Sequence, residues 1–349
     1  MYEYLIMGQG LAGSLLAWEL IRRGRKVCVI DNGHRHASSW VAAGLINPVT
    51  GLRMVKSPHT EAWLQAAGET YAGLEQAFGI LLRHDRPMWR LFTQQRQRDA
   101  WQERLADPDY ADYLGPVRPP ADAYPYEALH GFGVVNHTGH LDTKSLLGRM
   151  KAWLQAQNAY VEQEIAYQAI ETQGGTVGWG SLEAKRMIFC EGWRGVDNPW
   201  FGHLPLTPVK GEILTLQHSG QLPEAIVNFG KWLLPISPTR FKLGATYDWE
   251  HRDQDPTAQG QSHLLEALAA VMPEPPATEV VAHEVGLRPN TRDRLPLIGA
   301  HRQFPQLLVF NGFGSKGSLM IPYYARHLAD HLLSGSALAS HCDIARWEA

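Results

Sequence analysis

Tyr4-Leu5-Ile6-Met7 runs straight into Gly8-x-Gly10-x-x-Gly13, and from Ser14 to Gly24 the spacing of Leu15, Leu16 and Leu20 is helical. A second apolar run, Val27-Cys28-Val29-Ile30, then ends in Asp31. Strand, glycine turn, helix and strand in this order fix a parallel βαβ unit at the head of the chain. The glycines differ in what they permit. Gly8 allows the tight turn, Gly10 lets a pyrophosphate approach the backbone, and Gly13 lets helix and strand pack closely. Leu11 and Ala12 complete the turn, so phosphates would sit on the positive end of the helix. Asp31 stands eighteen residues after Gly13, where a carboxylate can accept hydrogen bonds from an adenosine ribose. The unit predicts a dinucleotide site. By itself it does not separate FAD from NAD.

With 349 residues, 44% of them apolar, the chain can bury a large core in one or two domains. Lys and Arg number 32 against 35 Asp and Glu, a net charge of -3, which gives no overall electrostatic footprint for nucleic acid or an anionic membrane. Three cysteines, Cys28, Cys190 and Cys342, lie far apart without metal-ligand spacing, as expected of reduced thiols in a cytoplasmic protein. No apolar run is long enough to span a membrane, and a strand beginning at Tyr4 leaves no room for a signal peptide. His34 and His36 have no third ligand nearby and are expected in a solvated loop, so no metal site is expected.

Further along, Glu61 to Phe78 reads as a helix, and Arg83 to Leu105 reads as a continuing helix with six arginines against three acids. That face is expected to be solvated, with RNA binding as the alternative. Asp107 to Tyr126 is a Pro- and Tyr-rich connection without period. Gly131 to Asn136 is strand-like, Asp142 or Thr143 caps a helix through Gln157, short strands follow from Tyr160, and Arg186 to Gly192 is a buried strand ending in glycine. Leu206 to Trp249 has period two and predicts an antiparallel sheet. Ser262 to Met272 is helical, Glu279 to Val285 is a strand, and the chain closes on a strand, Gln306 to Phe310, a turn, and a helix, Ser318 to Leu333. The turn is Gly312-Phe313-Gly314-Ser315-Lys316-Gly317, a second GxGxxG. Only 32 residues follow it, too few for a crossover and another strand. Its helix must therefore dock on the first unit and point its N-terminus at the same cofactor, which suits a large cofactor such as FAD.

Three pieces together, the N-terminal glycine unit, Gly286-Leu287-Arg288-Pro289-x-Thr291-x-Asp293-x-x-Pro296-x-x-Gly299, and the C-terminal glycine turn, resemble the D-amino acid oxidase family of flavoproteins, to which glycine oxidase and sarcosine oxidase belong. The resemblance runs end to end. Ser39 to Leu45, with Ala43 and Gly44, is similar to the family's small-residue segment near the flavin; Cys190-Glu191-Gly192 is similar to its strand ending beside FAD; and Pro208-Val209-Lys210-Gly211 is similar to its Pro-x-Arg-Gly. The resemblance implies an α/β fold, α+β overall: a dinucleotide-binding FAD domain over residues 1–80, 137–204 and 280–349, and a mainly antiparallel substrate domain over 81–136 and 205–279. It implies that Arg288 clamps a substrate carboxylate. Gly312, Gly314, Ser315, Lys316, Gly317 and Ser318 would lie against the flavin, with Lys316 adding positive charge or assisting oxygen. For Arg288 the residues leave open a structural ion pair with Asp293.

Departures from the family pattern are specific. Asp31 replaces the more usual glutamate. Val41 stands where a covalent-flavin histidine precedes Ala-Ala-Gly in one branch, and no cysteine lies near Gly317, so the FAD should be non-covalent. The implied activity is oxidation of a small-molecule amine or amino acid, with hydride passing to flavin and oxygen or another acceptor taking the electrons. Asn47-Pro48-Val49-Thr50-Gly51 is also similar to the oxidase half of the enzyme that modifies carboxymethylaminomethyl-uridine in tRNA, which is the first alternative. An NAD-dependent dehydrogenase, or a flavin-binding protein without turnover, is the second.

Overall fold

In the computed structural model, residues 1–34, 37–51, 53–123, 125–220, 222–273 and 278–347 are described. His36 therefore lies outside the described residues. The N-terminal unit folds as β1 (Tyr2–Met7), α1 (Leu11–Arg22) and β2 (Val27–Asp31). Leu5, Ile6 and Met7 are wholly buried, because helices and loops cover both faces of a parallel sheet, and this is why the strand reads as a continuous apolar run.

Five strands of the first sheet are parallel: Tyr160–Glu162, β2, β1, Leu182–Phe189 and Leu307–Asn311. Antiparallel strands at Ile170–Gln173, Thr176–Trp179 and Leu297–Ala300 complete its eight. The short α2 (Ser38–Val41) follows the first unit, and α3 (Thr60–Phe78) comes after it. The region 83–105 corrects the expectation of one helix: it forms strands Arg83–Asp85 and Met88–Leu91 and only then α4 (Gln95–Leu105). Pro87 cannot continue a helix, and Met88–Leu91 finds a ladder with Phe132–Val135 that outweighs local propensity.

α5 (Thr143–Ala156) is capped by the Asp142 carboxylate, which accepts from the Ser145 amide at 3.1 Å. α6 (Ala258–Ala269) begins four residues before the periodicity indicates, with the Thr257 hydroxyl accepting from the Gly260 amide. α7 (Gly317–Ser334) packs on α1 and α3, so the C-terminal helix does return to the first unit. Leu15, Leu16, Tyr71, Met320, Tyr324 and Leu328 form the buried layer among these helices.

A second, seven-stranded sheet runs in the order Thr278–Thr291, Leu206–His218, Arg240–Gly244, Trp232–Ser237, Ile226–Asn228, Met88–Leu91, Phe132–Val135. It is antiparallel except where Ile226–Asn228 meets Met88–Leu91. The strand expected over Glu279 to Val285 continues through the motif that starts at Gly286, as far as Thr291. The motif belongs to a fourteen-residue strand paired along its length with Leu206–His218, whose pattern the glycine and proline conceal. No helix is long and apolar enough to cross a membrane among the described residues.

Candidate active site

The three glycines of the first turn differ in what surrounds them. A Cβ on Gly13 would stand 1.9 Å from the Gly8 carbonyl oxygen, and one on Gly8, whose φ is +101°, would stand 2.6 Å from the Cys190 oxygen. Both positions are closed by the chain's own backbone. A Cβ on Gly10 would meet only the Ser39 hydroxyl, at 3.6 Å. Nothing among the described residues requires glycine at position 10, and the space it leaves fits a group brought from outside. Gly10 also gives α1 no side-chain cap; Ser39 Oγ accepts from the Leu11 amide at 3.1 Å.

Asp31 is buried and its carboxylate is engaged: Oδ1 accepts from the Gln9 amide, and Oδ2 from the Gly33 and His34 amides, each at 2.8 Å. The acid thus ties the glycine loop to the turn after β2, while carboxylate oxygens retain lone pairs for further donors. Gln9, which no local pattern marks, is wholly buried, donates to the Ser14 hydroxyl and the Leu147 carbonyl, and leaves Oε1 without a partner among the described residues. His34 stacks on Trp40 at 4.9 Å, and burial lowers its pKa.

The strand Thr278–Thr291 gathers the remaining pieces. Ser38, next to Ser39 on α2, donates to the Leu287 carbonyl, so two successive hydroxyls link this strand to the glycine loop. A Cβ on Gly314 would lie 2.6 Å from Asn290 Oδ1, and one on Gly312 would lie 2.7 Å from a Thr291 methyl. Asn311 Nδ2 donates to the Gly192 carbonyl at 2.8 Å and so joins the ends of strands Leu182–Phe189 and Leu307–Asn311. The structure therefore brings Gly8 to Gly13, Asp31, Ser39, Gly192 and the Gly312–Ser318 turn to one edge of the first sheet. Ala43 packs in an apolar cluster with Val49 and Met88, and the segment around Gly44 and Leu45 lies on Gly139–Leu141, with Leu45 paired to His140. Glu191 is a residue the spacing does not mark: its carboxylate accepts from Tyr167 Oη at 2.7 Å and Asn198 Nδ2 at 2.9 Å, and burial raises its pKa.

Arg288 is not paired with Asp293, whose carboxylate binds Arg346 at 2.9 Å. Its Nη1 donates to the carbonyls of Thr246, at 3.2 Å, and Lys210, at 3.5 Å, and its guanidinium lies 4.2 Å from the Tyr247 ring centre. No carboxylate lies within ion-pair distance of it among the described residues. Burial lowers its pKa, although an arginine remains charged. Gly211 makes the space: a Cβ there would sit 2.3 Å from Nη2. Lys316 caps α7 only as backbone, and burial, with the neighbouring charge of Arg294, lowers its pKa.

The sequence profile of the FAD dependent oxidoreductase family matches residues 3–331, nearly the whole chain. The chain belongs to that family. This FAD-dependent oxidoreductase is 24% identical to glycine oxidase from Pseudomonas aeruginosa, over 95% of the chain and 94% of that protein. It is 24% identical to the bifunctional tRNA 5-methylaminomethyl-2-thiouridine biosynthesis protein of Azoarcus sp., over 94% of the chain but 56% of that protein. The crystal structure of glycine oxidase from Geobacillus kaustophilus superposes with a TM-score of 0.83 at 22% identity, covering 99% of this chain and 97% of that one. The cofactor is FAD, which excludes the NAD-dependent alternative. The space over Gly10 and an α1 without a side-chain cap fit its pyrophosphate, and the free Gln9 Oε1 suits a hydroxyl donor of the same cofactor. The oxidoreductase is an enzyme of the amine- and amino-acid-oxidising, glycine oxidase-like class.

Proposed function

We propose that this enzyme oxidises the C–N bond of an amino acid or related amine carboxylate. The supporting observation is Arg288: a half-buried guanidinium whose only hydrogen-bond partners among the described residues are two carbonyls at 3.2 and 3.5 Å. A buried charge without a counter-charge is costly, and a carboxylate arriving with the substrate supplies what is missing. Arg288 presents a planar fork that fixes the carboxylate by two parallel bonds and so orients the adjacent carbon.

When bound, FAD would supply the acceptor for a hydride from that carbon, and the substrate imine would hydrolyse in water. Gly8, Gly10, Leu11, Ala12, Gly13 and Asp31 hold the adenosine and pyrophosphate end in this reading, with Ser39, Ala43, Gly44, Leu45 and Gly192 along the flavin. Gly312, Gly314, Ser315, Lys316, Gly317 and Ser318 place the N-terminus of α7 and an ammonium where negative charge would develop. Residues 1–80, 137–204 and 280–349 form the FAD domain and 81–136 and 205–279 the substrate domain, with strand Thr278–Thr291 shared between them. Val41, and the absence of cysteine near Gly317, leave the FAD non-covalent.

The test is a panel of amines mixed with the enzyme without oxygen while flavin absorbance is followed. Carboxylated amines such as glycine, sarcosine or larger amino acids should bleach the flavin, and their decarboxylated counterparts should not. Bleaching by methylamine as fast as by the acids would defeat the proposal. Acid precipitation of the same sample should leave yellow supernatant and a colourless pellet.

A further inference from the structure

Lys231 occupies the turn between strands Ile226–Asn228 and Trp232–Ser237, and its Nζ donates to the Ala245 carbonyl at 3.2 Å. The next carbonyl, of Thr246, is the one that accepts from Arg288. Trp232 pairs with Gly244 and Gly211 makes room for the guanidinium, so the lysine and the arginine end on the carbonyls of two successive residues that follow strand Arg240–Gly244.

The lysines on the strands of this sheet have acids, Lys210 holding Asp253 at 2.5 Å and Lys242 approaching Glu284 at 3.5 Å, whereas Arg90 and Arg240 rest on the Gly51 carbonyl and Gln217. Lys231 and Arg288 have no acid within 4.0 Å among the described residues. Burial lowers the pKa of Lys231, and the charge of Arg288 lowers it further. Two like charges on consecutive carbonyls repel each other, and one carboxylate on Arg288 would leave the ammonium unmatched.

We propose that Lys231 is a second carboxylate anchor and that the substrate is an amine bearing two carboxylates, one held by Arg288 and one by Lys231. This rests on the reading of Arg288 as a carboxylate clamp. It adds the specificity: the second anchor selects dicarboxylates over simple amino acids, because a monocarboxylate leaves one partly desolvated cation without a counter-charge.

Two unreactive ligands test it on the holoenzyme, thiodiacetate and (methylthio)acetate, each titrated while the flavin spectrum is followed. Wild type should bind thiodiacetate roughly 10- to 100-fold more tightly, the range expected of one added charge-assisted hydrogen bond. Lys231→Met should abolish that preference and Lys231→Arg should keep it, both with full flavin content. Arg288→Ala should lose both ligands. Equal binding of the two ligands by wild type, a preference that survives in Lys231→Met, or loss of both ligands in equal proportion in Lys231→Met would each overturn the second anchor. If Arg288→Ala still binds (methylthio)acetate normally, the clamp itself fails. If neither ligand perturbs wild-type flavin, both readings fail together.

Discussion

At the end of β1 the site is made of backbone and is closed on itself: Gly13 packs against the Gly8 carbonyl, and the Asp31 carboxylate takes three amides. At the end of strand Thr278–Thr291 it is made of side chains and is left open. Among the described residues Arg288 and Lys231 rest on carbonyls and lack acids, while Lys210, whose carbonyl also accepts from Arg288, is paired with Asp253. The first arrangement stabilises a loop geometry before any ligand arrives. The second stores unmet charge for one. Damage to the first should therefore appear in folding and flavin retention, and damage to the second in turnover alone.

The largest effect is expected at Gly13. Gly13→Val would drive a branched side chain into the Gly8 carbonyl, and soluble folded protein should be lost. Gly10→Ala separates fold from cofactor: the backbone there, φ -69° and ψ -172°, accepts alanine, so apoprotein stability should change by less than about 1 kcal/mol. Flavin affinity should nevertheless fall at least about tenfold, because the methyl enters the phosphate space. Thermal unfolding of apoprotein beside a flavin titration reads both. Wild-type affinity in Gly10→Ala would move the phosphates elsewhere.

A smaller effect concerns acid. His140 is buried on the strand that supports Leu45, stacked on His84 at 4.8 Å, and burial, with His84, holds its pKa down to about 4. The unfolded chain takes up this proton near the ordinary value of 6.5 and the folded chain only near 4. Stability is thus fully present above about pH 6.5 and declines as pH falls towards 4, by on the order of 3 kcal/mol. Melting temperatures across that range should fall less in His140→Phe than in wild type. Parallel curves would show that His140 does not carry this acid sensitivity.

Local chemistry made the first region legible. The apolar run of β1, the glycine spacing and Asp31 all lie within one crossover, so periodicity and turn chemistry were enough. Gly211 and Arg288 come from two strands and Lys231 from a turn, and they meet only through the register of the second sheet, a relation that no window of sequence contains. The same cause explains the helix expected over 83–105, where a sheet partner more than forty residues away decides the strands. Asn311 and Ser38 were invisible for the related reason that their partners, Gly192 and Leu287, are distant in sequence.

Arg288 provides the most direct measurement: the rate of anaerobic flavin reduction by an amino-acid substrate in wild type, Arg288→Lys and Arg288→Ala. Losing one partner of a desolvated charge pair costs about 2 to 5 kcal/mol, so kcat/KM for Arg288→Ala should fall on the order of 30- to 3000-fold. Arg288→Lys should fall between, keeping the charge but not the fork. Flavin content should be unchanged and the melting temperature equal or higher, since the free enzyme loses an unpaired cation rather than a salt bridge. Full activity in the folded fraction of Arg288→Ala, together with lost flavin or a lowered melting temperature, would make Arg288 structural and contradict the account.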